Sequence, residues 1–301
     1  DRFGAEVVAD AFRQLSERSE RTATERLRET FKPGSYRFAD AVDHDGQGNG
    51  PYRLAMELNV DDSGVVLDFS DSDDQAPGPI NYLVNPAVPR AMLGMYLLAG
   101  DPTLFLNAGA GRAIDEVVLR EGSVLQPKWP APLGQRGLTM MRLLSSTMGL
   151  VNAAGGESQA ANCAYVIYFA RGVGDDGNTF LMSDGVGVGY GARPYADGIN
   201  AVYYVAQENY PAEMLEQTYP ARLRAYGIHR DSGGPGRWRG GCGVVREIEL
   251  LAPEATFAIR IDGVEKPPWG VKGGKCGGAG RAVVNPGTPQ ERELDPFSDG
   301  N

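Results

Sequence analysis

The hydrophobic period of this chain changes abruptly at Pro33-Gly34. Over residues 4–32 the apolar side chains Val8, Phe12, Leu15, Ala23, Leu27 and Phe31 recur at three- and four-residue steps, with arginine and glutamate between them. That spacing predicts an amphipathic helix, and Pro33-Gly34 ends it. Beyond that point the period is two. Tyr52, Leu54, Met56, Leu58 and Val60 alternate with Arg53, Glu57 and Asn59; Asp61-Asp62-Ser63-Gly64 reads as a turn; Val65, Leu67 and Phe69 then resume the alternation. Residues 51–69 are therefore expected to form a hairpin.

Further helices are expected at Pro86–Ala99 and at 137–153, where Leu138, Met141, Ser145, Met148 and Asn152 share a face. Apolar strand candidates lie at 163–169, 179–183 and 199–206. From 221 onward strand and turn predominate; Phe257, Ile259 and Ile261 alternate with Ala258, Arg260 and Asp262, and Val283 sits in a last short run. No regular strand–helix alternation appears, which argues against a doubly wound parallel sheet. With 41 glycines and 20 prolines in 301 residues, many turns and short strands are favoured over a bundle. The expected class is α+β: mixed, mainly antiparallel sheets with a few packed helices.

Charge and composition exclude several functions. A net charge of −10 does not suit a surface that tracks phosphates, so no nucleic-acid partner is expected. No apolar run reaches the length of a membrane-spanning helix. Cys163, Cys242 and Cys276 are odd in number and widely spaced, and there are two histidines; together they match no common zinc pattern. The thiols read as those of a reduced, cytoplasmic protein. Asp1 opens directly into a helix without a signal-peptide core, so the chain is read as a piece of something longer.

Several local motifs are tempting and incomplete. Asp43-His44-Asp45-Gly46-Gln47-Gly48-Asn49 resembles a calcium loop, but position twelve, which needs a bidentate glutamate, is Leu54; a solvated turn is expected instead. Gly187, Gly189 and Gly191 approximate a dinucleotide fingerprint, yet Arg193-Pro194 follows where a helix should start. Close backbone packing is the simpler role for these glycines. The Gly274-Lys275 pair has Trp269 where a phosphate loop needs its first glycine. Asp231-Ser232-Gly233-Gly234-Pro235 matches the tract around a protease nucleophile, but only His44 and His229 could serve as base and neither has an evident orienting carboxylate. Asp231 and Ser232 are expected to form a tight turn.

Arginines in glycine-rich settings remain. Arg136, Arg142, Arg193, Arg237 and Arg239 could each clamp a carboxylate or phosphate in bidentate fashion. For any one of them, an internal ion pair or a subunit contact is the competing reading.

Taken in order, the tracts carry a resemblance. They are Asp43-His44-Asp45-Gly46, Gly50-Pro51-Tyr52-Arg53, Asp68-Phe69-Ser70, Gly78-Pro79-Ile80-Asn81, Asn107-Ala108-Gly109 and Glu121-Gly122-Ser123. Then come Pro130 through Arg136 with Arg142 and Met148-Gly149, Gly191-Ala192-Arg193-Pro194, Asp197-Gly198, and Glu213 with Glu216. The series closes with Asp231 through Gly241, Arg246-Glu247 and Pro268 through Gly274. Their order and spacing, from about residue 3 to 288, resemble the hydantoinase B/oxoprolinase family.

The resemblance implies a B-type subunit working beside an A-type ATPase subunit, which phosphorylates a carbonyl or enolate oxygen of a small-molecule substrate. Family members open hydantoins, 5-oxoproline or lactams with water, and relatives carboxylate acetone or acetophenone. It also implies that residues 1–301 are part of a single large subunit. The family's N-terminal metal-binding region and C-terminal glycine-rich end have no counterpart here, and Asp71 stands where a glycine is usual. No cofactor is therefore assigned to this chain; ATP and a divalent metal are expected in the complete complex. Asn81, Arg136, Arg142, Arg193, Asp197, Arg237 and Arg239 are the candidates for a substrate pocket or an interface. A ketone carboxylase subunit, or a purely structural assembly element, are the competing functions.

Overall fold

The computed structural model describes residues 2–99, 103–104, 106–161, 166–203 and 210–298. Cys163 and part of the strands expected at 163–169 and 199–206 lie outside them. The chain divides into two compact units: Asp1–Ala41 with Tyr52–Ser158, and Val42–Pro51 with Gln159–Asn301.

In the first unit the leading helix α1 (Ala5–Thr30) is followed by β1 (Gly34–Val42), β2 (Tyr52–Val60) and β3 (Val65–Asp68). Helices α2 (Ala87–Leu98) and α3 (Ala108–Gly111), strand β4 (Glu116–Val118) and helix α4 (Arg136–Ala153) complete it. The strands form one sheet in the order β1-β2-β3-β4. The expected hairpin is present, with Leu58 opposite Leu67 and Val60 opposite Val65, whereas β4 pairs with β3 in parallel. Alternation puts Leu54, Met56, Leu58, Leu67 and Phe69 in the core. Helix α4 is buried along most of its length, from Leu138 to Val151, because the sheet closes on it: a Cβ on Gly149 would lie 2.4 Å from the Phe38 ring of β1. Only glycine permits that approach.

The second unit is built on β5 (Val166–Val173), β6 (Thr179–Gly185), β9 (Glu254–Ile261) and β12 (Phe297–Ser298), ordered β12-β9-β5-β6 and antiparallel throughout. Helix α5 (Ala212–Thr218) precedes the antiparallel pair β7 (Ala221–Ile228) and β8 (Val244–Leu250), and β10 (Val283–Val284) pairs with β11 (Arg292–Glu293). Tyr168, Ala170, Met182, Leu215, Ile259, Ile261 and Leu294 make its core. The architecture is α+β with mainly antiparallel sheets.

Two expectations need correction. Of residues 199–203, Val202 alone pairs, through an isolated bridge to Val188; loops take up the rest. The Asp43–Asn49 segment is a solvated turn only at its tip, where residues 47–49 are exposed. Asp43 and Asp45 are buried. The Asp43 carboxylate accepts hydrogen bonds from the backbone N–H groups of Val264 at 2.7 Å, Glu265 at 3.0 Å and Lys266 at 3.0 Å. Its own N–H donates to Asp262 at 3.0 Å. Asp45 accepts from the N–H groups of Gln47 and Asn49 and from the Asn49 amide. The partners of Asp43 lie more than two hundred residues away and leave no local trace. Among the described residues, no helix is long and apolar enough to cross a membrane.

Candidate functional site

Three glycine-rich loops of the second unit, around residues 187–202, 229–243 and 268–278, are laced together by their backbones. The middle loop starts where β7 ends, and its neck is closed by Ser232. Its hydroxyl donates to the His229 carbonyl at 2.8 Å and accepts from the Gly243 N–H at 2.9 Å. Asp231 beside it takes a left-handed φ of 61°, which aspartate tolerates better than most residues. The Ser232 proton is thus directed at a carbonyl oxygen and not at a base, so no serine nucleophile is prepared here.

Glycine is required where these loops cross. A Cβ on Gly189 would stand 1.8 Å from the Gly241 carbonyl oxygen, and one on Gly233 would stand 2.0 Å from that of Gly240. The crossing is fixed by backbone bonds from Gly241 to Tyr190, Gly198 to Arg239 and Ala201 to Cys242, each 2.8–2.9 Å. Gly277 N–H donates to Pro268, and Gly278 N–H to Ser232.

This lacing brings several of the predicted residues together. The Asp197 carboxylate accepts from the Arg239 N–H at 2.8 Å, and its carbonyl accepts from Arg193 Nη2 at 3.1 Å. The Arg193 guanidinium lies 5.5 Å from the Tyr195 ring centroid, and its buried Nε has no partner. Arg239 Nη1 donates to Cys242 Sγ at 2.8 Å. Arg237 is exposed, with its guanidinium 5.8 Å from the Trp238 ring, and the Trp238 indole donates to Pro194. Each guanidinium carries five N–H donors, so Arg193, Arg237 and Arg239 retain capacity for a carboxylate or phosphate.

The remaining candidates lie in the first unit, where the fold uses Asn81 and Arg142. Asn81 is fully buried: its carbonyl accepts from Ala76 N–H, and its amide donates to the carbonyls of Ala76, Gly78 and Pro132 at 2.8–3.1 Å. It clamps one loop onto another. Arg142 pairs with Asp40 at 3.3 Å, both side chains being buried. Arg136 is exposed at the first residue of α4.

Two features carry no signal in the sequence. Cys242 reads there only as an isolated thiol. Burial pushes it up, but the lowering interactions, led by the Gly233 N–H and the Arg239 charge, outweigh burial and hold it below the usual cysteine range. With the folded thiol lower than the unfolded one, its contribution to stability is present above the unfolded value and is lost as pH falls through the folded one. In a chain carrying Cys163→Ser and Cys276→Ser, thiolate absorbance should titrate with a lower midpoint in the folded protein than after denaturation, and Arg239→Ala should raise the folded midpoint. A folded midpoint at or above the denatured one refutes the assignment. The second such feature is Asp184 on β6, which belongs to no motif and forms a buried ion pair at 2.7 Å with Arg246 of β8.

Among the described residues, no three His, Cys, Asp or Glu side chains are grouped to hold a metal ion. The buried carboxylates of Asp43 and Asp45 accept protein N–H groups instead. The described residues therefore do not fit a metal centre, and the arrangement supplies donors for an anion.

A family profile described as hydantoinase B/oxoprolinase matches residues 1–298. The B-type subunit of a putative D-/L-hydantoinase from Pseudomonas sp. (strain NS671) is 27% identical over 94% of this chain and 50% of its own length. The crystal structure of the ATP-dependent caprolactamase from Pseudomonas jessenii superposes with a TM-score of 0.84 at 22% identity, covering 100% of this chain and 54% of that one. A nucleotide-free acetone carboxylase structure gives 0.73 at 18% identity over 88% of this chain and 38% of the other. The chain spans about half the length of the first curated relatives it matches.

Proposed function

Since this chain belongs to the hydantoinase B/oxoprolinase family, we propose that it is part of the B-type subunit of a cytoplasmic, ATP-dependent cyclic-amide hydrolase. The substrate class is a hydantoin, 5-oxoproline or a lactam. The observation that carries this reading is the unbroken family match over residues 1–298. An A-type ATPase subunit and the rest of the B-type subunit are the partners, and they supply ATP binding and the divalent metal, since neither is assigned to residues of this chain.

Within that assembly the loop crossing supplies anion-binding donors. Arg193, Arg237 and Arg239 are oriented by Asp197, Trp238 and the glycine contacts, and they face either the charged, activated substrate or a neighbouring subunit. The experiment is a product assay on the assembled complex, with ATP and either a cyclic amide or a ketone plus bicarbonate. Ring opening coupled to ATP consumption is expected. Bicarbonate-dependent carboxylation of the ketone, without ring opening, would replace this reading with that of a ketone carboxylase. Arg239→Ala and Arg237→Ala should raise KM by about 10- to 100-fold, the worth of one charge-assisted hydrogen bond. Weakened assembly with unaltered KM in the assembled fraction would assign the arginines to a subunit contact.

A further inference from the structure

The apolar stripe of α1 is buried over only half of its length. Ser19, Ala23 and Leu27 lie in the core of the first unit. Packing begins at Ser16, where a Cβ on Gly109 would stand 2.0 Å from the Ser16 carbonyl oxygen. It continues through Asn107, whose amide donates to the Ser19 hydroxyl, and through an Arg112–Glu20 ion pair. Toward the N-terminus from Ser19, at steps of four, three and four residues, the same stripe passes Leu15, Phe12 and Val8. Those side chains are 44%, 68% and 42% exposed. At 100° per residue, Val8, Phe12, Leu15 and Ser19 fall within roughly 60° of arc.

The polar flank of this segment is already satisfied. Arg13 pairs with Asp10 and Glu17, and Gln14 donates to Asp10. The stripe of Val8, Phe12 and Leu15 is apolar and exposed. A helical stretch of this length is marginal in water without tertiary packing.

We propose that residues 5–15 of α1 dock, through Val8, Phe12 and Leu15, against an apolar face of the part of the B-type subunit that lies outside these 301 residues. This rests on the reading of the chain as part of such a subunit. Two observations select that occupant. The stripe is continuous with a core interface, as in packing within one subunit. The B-type relatives also carry about as many residues again as the matched region, which covers 50% and 48% of two of them. A second copy of the chain is disfavoured by size: three side chains offer on the order of a few hundred Å², against the roughly 800 Å² per partner of a stable interface.

The test places a photoreactive side chain, Phe12→p-benzoylphenylalanine, in the assembled enzyme and identifies the crosslinked peptides by mass spectrometry. Crosslinks should fall on B-type residues outside the 301. In the same assembly, Phe12→Asp should lower the hydrogen-exchange protection of amides 9–15 at least tenfold. Crosslinks to a second copy or to the ATPase subunit, no crosslink at all, or unchanged protection overturn the proposal. Absence of ATP-coupled ring opening would sink the functional reading alone, because the crosslinked partner is identified without reference to activity.

Discussion

Arg246→Met is expected to cost the second unit about 3–5 kcal/mol, the usual penalty for stripping one partner from a buried ion pair. The Arg246 and Asp184 side chains are 2% and 10% exposed and meet at 2.7 Å. The guanidinium lies between the rings of Tyr168 and Tyr226, 5.8 and 5.6 Å from their centroids, and Nη1 also reaches the Gly185 carbonyl. Burial pushes the Tyr168 hydroxyl well above the usual tyrosine range, with the Arg246 charge opposing it, so the site is short of water. Without the arginine, the Asp184 carboxylate keeps, among the described residues, the Gly185 N–H and a long contact to Tyr168. Pairing Arg246→Met with Asp184→Leu should recover most of the loss, because two well-packed apolar groups carry no desolvation penalty. Denaturant unfolding of both single variants and the double variant closes the cycle. A double variant as unstable as the sum of the two singles would show that the pair is not coupled.

The second large effect is expected at Asp43. Its carboxylate gathers three consecutive N–H groups, from Val264, Glu265 and Lys266, while itself 2% exposed. Asp43→Ala orphans all three. A buried donor without an acceptor costs about 1–3 kcal/mol, but Glu265 and Lys266 are exposed and water can reach their amides. A total of about 2–4 kcal/mol follows. Asp43→Asn keeps one carbonyl oxygen and loses the charge, so about half of that penalty is expected. Hydrogen exchange at residues 264–266 should accelerate in step with the loss measured by denaturant. Equal stability of wild type and Asp43→Ala would mean that the carboxylate does not anchor this turn.

What can be read from the sequence is local. The periods that place α1, the β2–β3 hairpin, α4 and the alternation in β9 all lie within windows of a dozen or so residues. Strand β1 escapes such a window because Asp40 interrupts the alternation of Tyr36, Phe38 and Val42; its burial is explained by Arg142, 102 residues away. In β7 the register shift between Leu223 and Ala225 breaks the period within the strand itself. Asp43 follows the same logic, since a carboxylate among glycines reads as solvated until its distant amides are known. At the loop crossing, the motif residues Arg193, Asp197, Ser232 and Arg239 are recognisable as a set. Cys242 and Asn200 join them only through the crossing, where Asn200 accepts the Cys242 N–H.

Residues 42–51 belong to the second unit although they precede most of the first. On a ribosome, Asp43 emerges about two hundred residues before the turn it anchors; the bond to Glu265 spans 222 positions. At roughly 5–20 residues per second, the segment waits some 10–45 s for the N–H groups that donate to it to be synthesised. The second unit therefore cannot be completed by its contiguous stretch alone, and cutting the gene at residue 159 would deliver a unit already missing one of its own anchors. Closure over so long a span also makes it a late event in folding.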